Sequence, residues 1–251
     1  MKPEPVNVEK LSGGPAFQLT LELGFGRDHR RMERALSSFW ECRRVTGPWL
    51  ESSSFGDIEH TSFPMRPELL DKTQFGILTI SSDSAPLPFA LFPITEEGVL
   101  TVEKGTLVPY IQDRVPENSA WLTLNLTSAQ LAKQFHVDDS WTMRSQPWLA
   151  LLCDVFAEIV DAVHARVPLK SAAIGEEISG CFRRPTQNRL VHDCQGYPPL
   201  AVVSTNIIEN RGGLFVDRVL WDQLNPKMDA VILPSGLYYV KPQLDAALLG
   251  A

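Results

Sequence analysis

The sequence predicts an α+β fold, a mixed and largely antiparallel sheet with a few packed helices. Two observations carry this prediction. Strand-length segments that alternate apolar and polar residues recur along the chain, and only a few helical segments separate them. The predicted order is βα, βββ, βαβ and βαββ, which differs from the regular alternation of a doubly wound parallel sheet. We therefore expect one compact domain over residues 1–251, with residues 1–15 as a flexible lead-in.

The first predicted elements are a strand and a basic helix. Residues 17–25, FQLTLELGF, alternate in the manner of a half-buried strand. Asp28 is a suitable N-cap for a helix over residues 29–44, whose apolar side includes Phe39 and Trp40. Gly47-Pro48 is a typical helix stop.

A meander is predicted next. Residues 49–75 have the composition of an irregular surface connection with at most one short strand. Residues 75–81, 88–94 and 98–108 then form three strand-like runs separated by short turns. Antiparallel pairing is the simplest arrangement of three such runs, because short turns join antiparallel strands.

The second half begins with another alternating strand, WLTLNL at 121–126, followed by a short helix that ends near Phe135. A long helix starts after Pro147 and ends before Pro168, because proline suits the first helical turn and interrupts a helix interior. The remaining predicted elements are strands at 172–178 and 200–208, a helix at 215–224, and a hairpin of 230–233 with 237–241.

The two halves of the chain are loosely similar. FQLTLELGF followed by a helix resembles WLTLNLTSAQL followed by a helix. This similarity suggests pseudo-halves at 16–115 and 119–245, and a duplicated ferredoxin-like unit.

Composition indicates a soluble protein of the cytoplasm. Hydrophobic residues make up 44% of the chain and charged residues 21%, which is ordinary for a globular protein. No apolar run reaches the ~20 residues that span a bilayer, and the N-terminus lacks the apolar core of a secretion signal. Four cysteines are too few for a disulfide scaffold, and Cys153 is expected to be a small buried apolar residue.

The net charge of −7 favours basic partners over nucleic acid or anionic membranes. An exception is the first helix, which is rich in arginine between Arg27 and Arg44. Such helices bind phosphates in some proteins. The aromatic residues that stack on single-stranded nucleic acid are not interleaved with the arginines here. The alternatives are a solvated face, or docking to an acidic patch of the same chain or of a second copy.

No catalytic, cofactor or metal motif occurs in the chain. Nucleotide-binding loops and the nucleophile elbow are missing, and we expect no cofactor. Cys181, His192 and Cys194 lie in one polar segment, but their spacing is not that of a zinc site. Glu176 and Glu177 are adjacent on a predicted strand and so point to opposite faces, which favours a structural ion pair over a catalytic carboxylate pair.

The long helix offers the best candidate site, a stripe of carboxylates at spacings of four and three. Asp154, Glu158 and Asp161 form this acidic stripe on the predicted solvent side. The predicted apolar side comprises Trp148, Leu151, Leu152, Val155, Phe156, Ile159, Val160 and Val163. Charged residues are common on any exposed helix face, so the stripe has a structural explanation as well. As a binding surface it would be extended by Asp138, Asp139, Glu176 and Glu177.

The chain resembles immunity proteins of bacterial polymorphic toxin systems, which act in bacterial competition and type VI secretion. More narrowly, it is similar to those paired with restriction-endonuclease-like nuclease toxins. The resemblance spans most of the chain in outline, and its segments are not strict motifs. They are FWECRRVTGPW (39–49), WLTLNL (121–126), Pro147-Trp148, AAIGEEISG (172–180) and LPSGLYYVKP (233–242). It implies an α+β fold, no catalysis and tight binding to one cognate effector.

We therefore expect a cytoplasmic, non-catalytic inhibitor that binds a cognate toxin, a nuclease, through an acidic surface. An acidic partner is steered to the basic cleft that a nuclease presents to nucleic acid. Two alternatives are a hydrolase with a scattered polar site around Glu176, Glu177 and His192, and a structural homodimer that pairs the basic helix with the acidic stripe.

Overall fold

One large antiparallel sheet organises the described part of the chain. The structure is a computed structural model and describes residues 16–25, 28–51, 58–94, 120–132, 135, 148–176, 190–191, 202–203, 213–224 and 229–241. The strands are β1 (Ala16–Leu23), β2 (Val45–Glu51), β3 (Ile58–His60), β4 (Gln74–Leu78), β5 (Leu87–Ile94), β6 (Ala120–Thr127), β7 (Leu169–Glu176), β8 (Leu190–Val191), β9 (Val202–Val203), β10 (Gly213–Val216), β11 (Val231–Ile232) and β12 (Tyr238–Val240). The helices are α1 (His29–Trp40), α2 (Ser128–Leu131), α3 (Trp148–His164) and α4 (Arg218–Leu224), with a 3-10 turn at Pro67–Leu69.

The strand order in the sheet is β11-β12-β10-β7-β1-β6-β5-β4-β2-β3, and β8 pairs with β9 separately. Every strand pair in the described residues is antiparallel. The predicted α+β class with a largely antiparallel sheet is therefore confirmed, and so is the predicted antiparallel pairing of β4 with β5. The predicted ferredoxin-like duplication is not confirmed.

Helices α1 and α3 cover the same face of the sheet. The ring of Phe156 in α3 stacks on Phe17 of β1 at 6.2 Å. Phe39 of α1 meets Phe89 of β5 at 5.9 Å. Phe17 and Phe89 belong to the same face, because the β1–β6 and β6–β5 registers align their alternate residues. The main apolar core lies between this face and the two helices.

The opposite face of the central strands is polar and also buried. Cross-strand hydrogen bonds join four of its side chains: the amide of Gln18 donates to Asn125 at 2.8 Å, and the hydroxyls of Thr20 and Thr123 lie 3.2 Å apart. Near the end of the row, the Ser171 hydroxyl donates to the Glu22 carboxylate at 2.8 Å. The prediction that β1 is half-buried was therefore wrong, since all eight of its residues are buried. Hydrogen bonds allow polar residues to occupy the buried face.

Helix α1 begins where the sequence predicts and ends earlier. The Asp28 carboxylate accepts a hydrogen bond from the Arg31 backbone N–H at 3.1 Å, which confirms the predicted N-cap. The helix ends at Trp40, four residues before the predicted end. Gly47-Pro48 is not a helix stop but a cis peptide inside β2, where the strand register is irregular.

Other differences concern short strands. The connection predicted over 49–75 contains part of β2 and all of β3, and the helix predicted at 215–224 is divided between β10 and α4. The strand predicted at 98–108 lies outside the described residues. The C-terminal hairpin of β11 and β12 is confirmed, and Gly236, with a φ of 93°, supplies the left-handed turn residue.

Cys42 and Cys153 are buried free thiols, as expected for Cys153. Burial is the main cause that raises the pKa of each thiol, so both are held as neutral apolar groups. In the described residues, no helix is both long and apolar enough to cross a bilayer.

Candidate protein-binding site

The amphipathic character of α3 determines which of its side chains are available to a partner. Ten of its residues are buried against the sheet and α1, among them Trp148, Phe156 and Val163. Leu151 was predicted on this apolar side but is 54% exposed. On a 3.6-residue helix, Leu151 lies near Asp154 and Glu158 rather than near Leu152. The outer face of α3 therefore combines the acidic stripe with one exposed leucine.

Glu158 joins α3 to the segment that follows α1. Arg44 donates from Nε and Nη2 to the two carboxylate oxygens, at 2.9 and 2.8 Å. Arg43 donates to the same carboxylate from Nη2 at 3.1 Å, and Arg44 Nη1 also donates to the Ile80 carbonyl. The hydrogen bonds from Arg44, with a smaller contribution from Arg43, hold the pKa of Glu158 below its usual value despite partial burial. Glu158 is thus a structural tie between α3, the end of α1 and the β4–β5 connection.

The other two stripe residues face the C-terminal hairpin. One oxygen of Asp161 accepts the backbone N–H of Ser235, in the hairpin turn, at 2.8 Å. Asp154 lies farther along the hairpin, with its carboxylate 3.9 Å from the Lys241 ammonium. Both Asp154 and Lys241 are more than half exposed, so this contact contributes little to stability.

The structure therefore gives the acidic stripe partners within its own chain. Asp154, Glu158 and Asp161 are matched in charge by Arg43, Arg44 and Lys241, so these six groups carry no net charge. The pairing also accounts for part of the predicted basic segment, which docks an acidic patch of its own chain. It lends no support to a homodimer formed through the same charges.

A further ion pair joins the residues that follow α1 and α3. Arg166, just after α3, pairs with Glu41, just after α1, and Glu41 also accepts the Ser37 hydroxyl. Both Arg166 and Glu41 are exposed, so the pair orients the two helix ends more than it stabilises them.

The remaining predicted site residues are not brought to this face by the described structure. Asp138, Asp139 and Glu177 lie outside the described residues, as do Cys181, His192 and Cys194. Glu176 ends β7 opposite Phe17 of β1, and only its backbone position is described. Within the described ranges, no three histidine, cysteine, aspartate or glutamate side chains are grouped in a way that would hold a metal ion.

Sequence reasoning missed the partners of the stripe. Glu158 is 114 residues from Arg44 in sequence, and Asp161 is 74 residues from Ser235. No local spacing rule applies to such distances, because helix pairing rules extend only three or four residues. The adjacent arginines Arg43-Arg44, at the end of the predicted basic helix, were the available signal.

His164, the last residue of α3, is expected to make the stability of the fold depend on pH. Its Nδ1 accepts the Leu169 backbone N–H at 3.0 Å, so the imidazole is neutral there. Burial lowers the pKa of His164 below its usual 6.5, and the nearby Asp217 and Asp161 carboxylates oppose this effect only in part. Below about pH 6.5 the unfolded chain binds a proton that the folded chain resists, so stability falls as pH decreases toward the lowered value.

We expect urea unfolding to report this loss in the wild type, because the free energy of unfolding should decrease from pH 7 toward about pH 5. His164→Gln provides the control, since its amide oxygen can accept the Leu169 N–H without titrating. The variant should lose the part of the pH slope that lies just below pH 6.5. Equal slopes for wild type and variant in that window would show that His164 does not contribute.

Comparison with known protein families found no match, and neither did comparison with curated protein sequences. Among solved structures, the Pseudomonas aeruginosa T6SS protein PA0821 is similar at 10% sequence identity and a TM-score of 0.27. The match covers 64% of this chain and 40% of that chain, so this chain corresponds to less than half of it. A similarity at this level supports no statement about fold or function.

Proposed function

We propose that this protein is a non-catalytic inhibitor that binds and neutralises a cognate toxin effector, a nuclease, in the cytoplasm. The exposed outer face of α3 around Leu151 and Asp154 is the proposed contact. The observation that carries the proposal is the pairing of Leu151, 54% exposed, with Asp154, 63% exposed, one helical turn away. In this proposal the partner buries the Leu151 side chain in an apolar pocket, and Asp154 at the polar rim steers a basic partner to the face.

The three stripe residues have different roles in this proposal. Glu158 and Asp161 are held by Arg44 and the Ser235 backbone, so they keep the face rigid. Within the part of the chain that the structure describes, Asp154 is held by one long contact to an exposed lysine, so a basic partner can replace Lys241 at low cost. The overall charge of −7 adds long-range attraction to a basic cleft, which raises the association rate.

The experiment uses the protein encoded by the neighbouring gene as the candidate toxin, with binding measured by surface plasmon resonance. Asp154→Lys is expected to slow association about tenfold at low salt, and much less at high salt. Leu151→Lys is expected to raise the dissociation rate about tenfold, because a buried anchor is lost. In cells that express the toxin, both variants should protect less well than the wild type.

Two matched control variants test whether the change in binding is specific to α3. Glu68→Lys reverses an exposed carboxylate that also pairs with an exposed cation, Arg66, and Val219→Lys replaces an exposed apolar residue of α4. Both controls should bind as the wild type does. Absence of binding and protection by the wild type would refute the proposed function, whereas wild-type rates for both α3 variants would refute the proposed surface.

A further inference from the structure

The two edges of the sheet differ in how they are protected from pairing with another chain. At one edge, β3 carries the exposed polar residues Glu59 and His60. At the other edge, Val231 and Ile232 of β11 are 45% and 62% exposed. Charges and prolines within the strand are two of the devices that protect exposed sheet edges, and β11 contains neither. Its length of two residues limits the pairing instead.

The hairpin hydrogen bonds determine which backbone groups of β11 face outward. The Leu233 N–H donates to Leu237 at 2.8 Å, and the Leu233 carbonyl accepts from Gly236. Leu233 therefore directs its backbone toward β12, and so does Val231, two residues earlier. By alternation, the N–H and C=O of Ile232 and of Ala230 point away from β12, toward the outer edge.

We infer that a second copy of this chain pairs with β11 at this edge, antiparallel and about a two-fold axis. The outward groups select one register, in which Val231 lies opposite the partner subunit's Val231. Ala230 then forms a hydrogen-bonded pair with Ile232 of the partner subunit, and symmetry repeats the pair, so four N–H···O=C bonds form. A register centred on Ile232 is worse, because it places Pro234, which has no N–H, opposite the partner's Ala230.

The local charge of this edge does not oppose a second copy. Residues 229–241 contain one acidic residue, Asp229, and one basic residue, Lys241, so the edge is neutral within a chain of net charge −7. In the selected register Asp229 lies opposite Leu233 of the partner subunit. The two Asp229 residues are then about four strand residues apart, roughly 13 Å, which exceeds the screening length at physiological salt.

Apolar contacts on both faces of the joined edge add to the backbone pairing. The two Val231 side chains meet on the α3 side of the sheet. On the other side, Ile232 lies beside Tyr238, its partner in β12, and the Trp221 ring of α4 stacks on Tyr238 at 4.8 Å. The contact is small, so the dimer is a weak one of the kind formed by interfaces below about 1,200 Å².

Salt dependence distinguishes this dimer from one held by ion pairs. Two chains of charge −7 repel each other, and salt screens that repulsion. Raising the ionic strength therefore strengthens pairing through β11. A dimer that joins the basic helix of one copy to the acidic stripe of another would instead weaken with salt.

Sedimentation velocity of the full chain, up to about 1 mM protein, tests the inference. The wild type should shift from 28.0 kDa toward twice that mass, and the shift should be larger at about 0.5 M than at 0.05 M salt. Ile232→Pro removes an outward N–H without affecting the bonds to β12, and Ile232→Lys adds a charge to the edge. Each should weaken association at least tenfold, whereas Val219→Lys, which adds the same charge away from β11, should not weaken it.

Hydrogen exchange of the wild type gives a readout that needs no variant. The Ile232 amide should become more protected as protein concentration rises. A wild type that stays monomeric throughout, association that weakens with salt, or an Ile232 amide whose protection is independent of concentration would each overturn the inference. Dimers of Ile232→Pro and Ile232→Lys as strong as those of the wild type would also overturn it.

Discussion

Phe89→Ala is expected to lower the free energy of unfolding by about 3–5 kcal/mol, as for other large-to-small changes of buried aromatic residues. Phe89 is fully buried, and its ring lies 5.9 Å from Phe39 and 5.6 Å from Trp40. Gly76 is so close that an added Cβ would lie 2.6 Å from Phe89 Cζ. Three elements of the fold, α1, β4 and β5, meet at this ring, so its loss leaves a cavity that rigid neighbours cannot fill.

Phe92→Ala is the matched control, since Phe92 belongs to the same strand but to the opposite face, where it is only partly buried. Equilibrium urea unfolding of both variants gives the comparison. Phe89→Ala should be the more destabilising by at least about 1 kcal/mol, because the cost of truncation rises with burial. Equal losses would mean that the aromatic cluster between α1 and the sheet does not dominate the core.

Trp40→Phe is expected to cost about 2–4 kcal/mol, more than the lost ring volume alone explains. The Trp40 indole N–H donates to the Gln74 amide oxygen at 2.7 Å, and Gln74 is fully buried. Among the described residues, no group accepts a hydrogen bond from the Gln74 amide nitrogen. Removing the indole therefore leaves a whole buried amide without a partner, which is costly.

The corresponding double variant tests this explanation. Adding Gln74→Leu to Trp40→Phe removes the buried amide that has lost its partner, and should restore about 1–3 kcal/mol of the free energy of unfolding. In the wild-type background, Gln74→Leu instead leaves the indole N–H without an acceptor and should not stabilise. A Gln74→Leu effect of the same sign and size in both backgrounds would show that the two side chains are not coupled.

The acidic stripe illustrates how a surface pattern acquires a different meaning in the folded chain. As a sequence feature, Asp154, Glu158 and Asp161 are three equivalent carboxylates on one helix face. In the structure, Glu158 accepts hydrogen bonds from two arginines, and Asp161 accepts one from a backbone N–H. Of the three, Asp154 is the one whose ion pair is weakened by solvent. The proposed toxin contact is therefore narrower than the predicted stripe, and it includes Leu151, which the helical pattern had assigned to the core.

Element types were largely predictable because they depend on short-range patterns. The alternation of β1 and β6, the 3.6-residue repeat of α3 and the Asp28 cap involve residues within a few positions of each other. The C-terminal hairpin was predictable for the same reason, since Pro234-Ser235-Gly236 is a local turn signal. Boundaries were less predictable, as the early end of α1 shows. Residues 41–44 form a turn that leads into β2, and the position of β2 depends on its pairing with the distant strand β4.

The sequence by itself determined the fold class, the central strands, the long helix and the acidic character of the protein. Only the tertiary structure decided that the polar side of β1 is buried, that Glu158 pairs with Arg44, and that β11 is an edge strand of the sheet formed by the described residues. The physical reason is separation along the chain. Neighbouring residues determine local backbone geometry. Partners more than 70 positions apart meet only once the sheet order has brought their elements together.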